Sequence, residues 1–130
     1  MRKKQILLVD DDAQIVEVVG DRLRFEGFDV ISAYTAEEGL RLLRRRIPDL
    51  IVLDIGMTGM NGMTFLNQVV AAGGKLPRIL VFTARTDSLD EYARHAAVHA
   101  AVAKTSGPDG LIRQIRRLLA VEPSSDGAAG

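Results

Sequence analysis

Five short apolar runs, each followed by a segment with helical periodicity, constrain the fold of this chain more than any other feature. The runs cover residues 6–9, 28–31, 50–53, 79–82 and, more weakly, 100–103. The first, third and fourth are almost entirely isoleucine, leucine and valine, which is typical of parallel strands covered on both faces. Strands that alternate with helices predict a doubly wound α/β fold, with right-handed crossovers around a parallel sheet.

The segments between and after these runs carry apolar residues at helical spacing. Four apolar stripes are well defined: Ile15, Val16, Val19 and Leu23; Ala36, Leu40, Leu43 and Ile47; Phe65, Leu66, Val69 and Val70; and Leu111, Ile112, Ile115, Leu118 and Leu119. Two capping boxes, Thr35 with Glu38 and Ser88 with Glu91, predict the starts of the second and fourth helices. Asp12 is predicted to be the N-cap of the first helix.

Composition excludes several classes of protein. The 17 basic and 17 acidic residues give a net charge of zero, which disfavours direct binding of nucleic acid through phosphate neutralisation. The chain has no cysteine and two histidines, so disulfides, thiol catalysis and a zinc site are not expected. The apolar runs are too short for a signal peptide or a membrane span, and the sequence therefore predicts a cytoplasmic protein without membrane contact.

The length of 130 residues fits one domain. We predict that this domain covers residues 1–121. Residues 122–130 contain mainly proline, serine, glycine and alanine, and they are predicted to form a flexible tail or a linker stub.

Polar residues follow the apolar runs where the predicted strands end. Three aspartates at 10–12 follow the first run, Asp54 follows the third, Thr83 ends the fourth and Lys104 follows the fifth. Ligands of open α/β sheets bind at the carboxyl ends of the strands, where these side chains are expected to meet. Converging carboxylates repel one another unless a cation intervenes, and their hard oxygen atoms favour Mg²⁺.

The same group of residues suits phosphoryl transfer. An ionised aspartate can act as the nucleophile and form an aspartyl phosphate without a general base. Lys104 supplies a positive charge for a phosphoryl group, and Thr83 supplies a hydroxyl donor.

Four motifs, taken in order, resemble the receiver domain of two-component response regulators. They are ILLVDDD at 6–12, PDLIVLDIGMTGMNG at 48–62, ILVFTA at 79–84 and AVAKT at 101–105, within a resemblance that covers about residues 4–120. The resemblance implies a flavodoxin-like (βα)5 fold with strand order 2-1-3-4-5. It also implies a phosphorylation-activated signalling role rather than an enzyme that acts on external substrates.

The resemblance implies a role for each polar residue. Asp54 would be the phosphoacceptor, Thr83 the switch hydroxyl and Lys104 the phosphate-pairing lysine. The donor would be a sensor histidine kinase or a phosphotransfer protein. An output domain or partner protein would contact the face of the fourth helix, fifth strand and fifth helix. That region is rich in alanine, so we expect a monomer or a weak homodimer.

The resemblance also implies a magnesium site. Asp11 would bind Mg²⁺ directly and Asp10 would act through water. Asp54 and the backbone carbonyl of Gly56 would complete the protein ligands.

Three positions depart from the family pattern. Thr58 and Thr105 stand where members usually carry proline, and Ala101 stands where they usually carry an aromatic residue. Because a non-proline cis bond costs about 2.5–4 kcal/mol, we expect the Lys104–Thr105 bond to be trans or strained. These departures predict intact phosphorylation chemistry with an altered readout.

Other interpretations remain open. A pseudo-receiver, which binds partners without being phosphorylated, is the main alternative. A free-standing phosphatase or phosphotransferase is disfavoured, because Gly56 occupies the place of its usual second aspartate. A flavodoxin-type cofactor protein is also disfavoured, because no phosphate-binding loop follows the first run. His95 and His99 are assigned no chemistry, and the arginines at 44–46 are interpreted as complementing a helix dipole.

Overall fold

Five parallel strands form a sheet in the order β2-β1-β3-β4-β5, as predicted. The structure is a computed structural model that describes residues 2–57 and 59–121. The strands are β1 (Gln5–Val9), β2 (Asp29–Ala33), β3 (Leu50–Leu53), β4 (Arg78–Thr83) and β5 (Ala100–Ala103). The helices are α1 (Ala13–Phe25), α2 (Ala36–Arg45), α3 (Gly62–Ala71), α4 (Leu89–Ala93) and α5 (Gly107–Leu119). Short 3-10 turns precede α4 and α5.

The sheet separates two apolar cores. Alternate residues of a strand point to opposite faces, so each central strand contributes to both cores. One face carries Leu7, Val9, Ile51, Leu53, Ile79 and Val81, which pack with α2, α3 and α4. The other face carries Ile6, Leu8, Leu50, Val52, Leu80 and Phe82, which pack with α1 and α5. Burial on both faces explains why β1, β3 and β4 are nearly continuous aliphatic runs.

Two of the predicted helix starts are confirmed by side-chain hydrogen bonds. The Asp12 carboxylate accepts from the backbone N–H groups of Gln14 and Ile15. The Thr35 hydroxyl accepts from the backbone N–H of Glu38 at 3.0 Å. These bonds satisfy N–H groups that have no partner within the first helical turn.

Two local predictions need correction. α4 begins directly after Ser88, as predicted, but the capping box does not form: Ser88 makes no side-chain cap bond, because its backbone is already helical within the turn Thr86–Ser88 and an N-cap needs an extended backbone. Ile47 does not continue the apolar stripe of α2, which ends at Arg45. Ile47 precedes a proline, which disfavours helical backbone at that position, and it is 43% exposed.

Residues 122–130 and Thr58 lie outside the described residues. The predicted domain limits and tail therefore stay predictions. Among the helices of the described residues, none combines the length and apolar character needed to cross a membrane.

Candidate functional site

Three carboxylates meet at the carboxyl ends of β1 and β3. The two strands are neighbours in parallel register, and the backbone N–H of Asp54 donates to the carbonyl of Val9 at 2.9 Å. One oxygen each from Asp10, Asp11 and Asp54 lies within 4.8 Å of the other two. Asp10 and Asp54 are buried, whereas Asp11 is exposed. The structure thus brings together the three aspartates singled out in the sequence.

Local backbone bonds fix the two buried carboxylates. Oδ1 of Asp10 accepts from the backbone N–H of Asp12 at 2.9 Å. Oδ1 of Asp54 accepts from the backbone N–H of Gly56 at 3.0 Å. Each bond reaches two residues forward, so the turn after each strand aims its own carboxylate.

Lys104 joins both buried carboxylates through their second oxygens. Its Nζ lies 2.8 Å from Oδ2 of Asp10 and 3.4 Å from Oδ2 of Asp54. Lys104 follows β5, and parallel pairing with β4 brings the end of β5 to the same edge of the sheet. The sequence prediction that this lysine lies beside the carboxylates describes the geometry correctly.

Burial controls the electrostatics of this group. Burial raises the pKa of Asp10, and the charge of Asp54 adds to that effect against the hydrogen bond from Lys104. Burial opposes the charged form of Lys104, but its hydrogen bond to Asp10 and the charge of Asp54 outweigh burial and raise its pKa. Three carboxylates beside one ammonium leave an excess of negative charge. Their oxygen donors fit a hard divalent cation such as Mg²⁺.

Thr83 ends β4 beside β3 and is fully buried. Its Oγ1 accepts from the backbone N–H of Arg85 at 3.0 Å. The Arg85 side chain packs over Gly56: a Cβ on Gly56 would lie 3.4 Å from Cδ of Arg85 and 3.5 Å from Oδ1 of Asp54. Sequence reasoning missed Arg85, although its position two residues after Thr83 places it at the same edge of the sheet.

The comparison with known families decides the class of this protein. The family model of the response regulator receiver domain matches residues 6–116. This chain belongs to the response regulator receiver domain family. The resemblance predicted from its four motifs is thereby confirmed.

Curated relatives are longer than this receiver domain. The DNA-binding response regulator MtrA of Mycobacterium tuberculosis is 39% identical over 88 residues, which cover 68% of this chain and 38% of MtrA. The transcriptional regulatory protein KdpE of the same species is 32% identical over 112 residues, which cover 85% of this chain and 49% of KdpE. The chain therefore spans less than half the length of these two relatives.

Solved structures share the fold of this receiver domain. The response regulator protein TrrA of Thermotoga maritima, in complex with Mg(2+)-BeF, aligns with a TM-score of 0.80 at 28% identity and covers 89% of this chain and 99% of its own. A CheY-like receiver domain protein of Methanospirillum hungatei also aligns with a TM-score of 0.80 at 28% identity, over 91% and 94% of the two chains. These similarities agree with the observed strand order.

A tyrosine of α4 packs against the start of α3 in this receiver domain. The Tyr92 phenol is 8% exposed, and the backbone N–H of Met63 hydrogen-bonds to it. A Cβ on Gly62 would lie 2.8 Å from both the Tyr92 hydroxyl and Cγ2 of Ile55, so this approach requires glycine at position 62. Burial raises the pKa of Tyr92 despite the Met63 bond. Tyr92 thus links α4 to the first turn of α3, a contact that sequence reasoning missed.

The β5 side of the receiver domain is built from small side chains. Ala101 lies inside β5 opposite Val81 and is partly buried against the α2–α3–α4 core. All four residues of β5 are half-buried, unlike the fully buried strands β1 and β3. The Lys104–Thr105 bond is trans, as expected. β5 therefore contains no aromatic side chain.

Both histidines form local bonds in the α4–β5 connection. Nδ1 of His95 accepts from the backbone N–H of Ala97 at 3.0 Å, and its Nε2 lies 3.1 Å from Oδ1 of Asn67. Nδ1 of His99 accepts from the backbone N–H of Ile79 at 3.1 Å. Both imidazoles thus hold the connection between α4 and β5 through local hydrogen bonds.

Proposed function

We propose that this receiver domain accepts a phosphoryl group on Asp54 from a sensor histidine kinase or a phosphotransfer protein, in the presence of Mg²⁺. The observation that carries the proposal is the bridge from Lys104 to the two buried carboxylates. Its Nζ is 3.4 Å from Asp54 and 2.8 Å from Asp10. A nucleophile, a metal-binding cluster and a fixed cation therefore lie within one group of contacts.

We propose that Asp10, Asp11, Asp54 and the backbone carbonyl of Gly56 hold the ion. Asp11 is exposed and would bind directly. Both oxygens of Asp10 already accept hydrogen bonds, from Asp12 and from Lys104, which favours a role through water. When bound, Mg²⁺ neutralises charge on phosphoryl oxygens. The complex of TrrA with Mg(2+)-BeF supports this assignment by similarity.

The transfer is a substitution at phosphorus. A carboxylate oxygen of Asp54 attacks the phosphorus of the phosphohistidine, the P–N bond breaks, and the imidazole leaves with the electron pair and takes up a proton. Lys104 would pair with a phosphoryl oxygen. The Thr83 hydroxyl, which accepts from Arg85, keeps its own proton for donation to the phosphoryl group. Later attack by water at phosphorus restores the carboxylate and releases inorganic phosphate.

The readout is proposed to be atypical. Ala101 offers no rotamer change, and its β5 neighbours are alanine and valine. We propose that the signal leaves through the face formed by α4, β5 and α5, towards an output domain or a partner protein. Small side chains on this face bury little apolar area, which favours a monomer or a weak homodimer.

Intact-mass analysis tests the chemistry. The protein is incubated with acetyl phosphate and Mg²⁺, with Asp54→Asn as the control. We expect one phosphoryl adduct that requires Mg²⁺ and is absent from the control. Equal labelling of Asp54→Asn would refute the assignment of the phosphoacceptor. Failure of a purified kinase, as well as acetyl phosphate, to label the natural chain would refute the phosphorylation function.

The pseudo-receiver is the second candidate, and the small side chain of Ala101 favours it. Amide shift mapping by NMR, before and after treatment with acetyl phosphate and Mg²⁺, distinguishes the two functions. A phosphorylation-switched receiver shows shifts that extend from the carboxylate cluster into α4 and β5. A pseudo-receiver keeps α4 and β5 unchanged.

A further inference from the structure

A cluster of basic side chains lies at the amino-terminal ends of the strands, opposite the carboxylates. We call this surface the basic basin. Its cations are Arg2, Lys4, Arg44, Lys75 and Arg78. Asp49 is the acidic residue in the lining of the basin, and its Oδ2 accepts from the backbone N–H of Gln5 at 2.7 Å. The basin thus concentrates positive charge in a chain whose net charge is zero.

The basin cations lack carboxylate partners in the part of the chain that the structure describes. The basic residues in its ion pairs are Arg22, Arg24, Arg116 and Lys104, all outside the basin. One of these cations also affects His99, which lines the basin. Burial lowers the pKa of His99, and the positive charge of Arg78 lowers it further. Like charges held together repel one another, and an anionic partner would relieve that repulsion.

An apolar groove adjoins these charges. It lies between the ends of α2 and α3 and has a volume of about 130 Å³. Leu40, Leu43 and Val69 contribute to its lining, with Arg44 and Lys75 beside them. Ile47 and Leu76 are each 43% exposed. Both line the groove and also a neighbouring cleft of about 430 Å³ at the amino-terminal edge of the sheet. The basin therefore combines cations with a concave apolar surface.

We propose that the basic basin binds an acidic segment of another protein, which inserts apolar side chains between α2 and α3. Charge complementarity identifies the acidic character of the partner, and the groove identifies its apolar side chains. A nucleic acid backbone would use the cations but leave the groove unfilled. A flat anionic membrane would not enter a concave surface between two helices. This binding is separate from the phosphorylation site and does not depend on the proposed function.

A synthetic helical peptide with leucines on one face and glutamates on the other tests the proposal. Binding of the labelled peptide to the full chain is followed by fluorescence anisotropy. We expect Arg44→Glu and Lys75→Glu each to weaken binding about tenfold, since like charges would then face each other. Arg113→Glu on α5 is the matched control, because Arg113 is exposed and lies outside the basin. This substitution makes the same change of charge, and we expect it to leave the affinity for the peptide unchanged. Equal weakening by the control would overturn the proposal.

The apolar part of the proposal has its own test. Leu76→Ser is expected to weaken binding about fivefold, because an apolar contact of the groove is lost. A peptide with serine in place of leucine makes the same test on the unaltered protein, so a folding defect in the variant cannot obscure the result. Unchanged affinity in both measurements would refute the groove. Tighter binding of single-stranded DNA or of anionic phospholipid vesicles than of the peptide would also overturn the proposal.

Discussion

The two sides of this receiver domain are held together in different ways. On the side of α1 and α5, Arg22 pairs with Glu26 at 3.0 Å and Arg116 pairs with Glu26 at 2.6 Å. On the side of α4 and β5, alanines predominate and α4 has only five residues. There the Tyr92 phenol supplies the hydrogen bond to α3. Ion pairs brace the first side, which we call the firm side. Small, half-buried side chains leave the second, which we call the shifting side, with less apolar contact, and the phosphorylation that we propose would act on it.

The largest loss of stability is expected from a substitution in the core of the firm side. Leu111 of α5 is fully buried in the core beneath α1. We expect Leu111→Ala to lower the free energy of unfolding by about 3 kcal/mol, because it leaves a cavity in a packed interior. Urea denaturation measures the change. Leu118→Ala, in the last turn of the same helix and only partly buried, is expected to cost clearly less.

The next effect concerns the shifting side. Tyr92→Phe removes the acceptor of the backbone N–H of Met63 in a contact where the phenol is buried, and we expect a loss of about 1–2 kcal/mol in unfolding free energy. Tyr34→Phe is the matched control, since Tyr34 is 47% exposed. If Tyr92 couples α4 to the first turn of α3 beside the carboxylate cluster, Tyr92→Phe also changes the Mg²⁺-induced amide shifts of α4. Identical shifts in the variant and the natural chain would contradict the link.

A smaller effect, of opposite sign, tests the carboxylate cluster that both sides share. The folded pKa of Asp10 is raised above its unfolded value, so ionisation of Asp10 destabilises the metal-free fold as pH rises through the folded pKa. We expect Asp10→Asn to stabilise the metal-free protein at neutral pH by about 1 kcal/mol. Thermal unfolding with and without Mg²⁺ checks this, and the variant should lose most of the stabilisation by Mg²⁺. A less stable metal-free variant would contradict the prediction.

The smallest effect concerns the ion pairs of the firm side. Burial opposes the ionised form of Glu26, but hydrogen bonds from Arg22 and Arg116 outweigh it and lower its pKa. The resulting stability is present above the ordinary pKa of a glutamate and is lost as pH falls through the lowered pKa. Glu26→Gln should therefore cost about 0.5 kcal/mol at neutral pH and nothing in acid. Chemical denaturation at two pH values tests this, and equal losses at both would exclude an ionic origin.

Sequence reasoning predicted the fold because each central strand is a run of consecutive aliphatic residues, which indicates burial on both faces of a sheet. It predicted the carboxylate cluster and Lys104 because parallel strands bring their ends to one edge of the sheet. It missed Tyr92, because the contact with Gly62 joins segments whose approach depends on the unusually short α4. It placed the start of α4 correctly at Ser88 but wrongly predicted a capping box there, since a capping box and a 3-10 turn begin with similar residues. Such errors concentrate on the α4 side. There the sequence pattern only weakly indicates local structure, and tertiary packing determines the backbone conformation.

The buried phenol of Tyr92 also gives the protein a spectroscopic probe of its own. The chain has no tryptophan and two tyrosines. One tyrosine is solvated at position 34 and the other is enclosed between α3 and α4. Removal of the first leaves a chain with a single tyrosine, located where α4 meets the first turn of α3. The emission of that single ring would then follow this junction in real time, without a dye or a labelled partner.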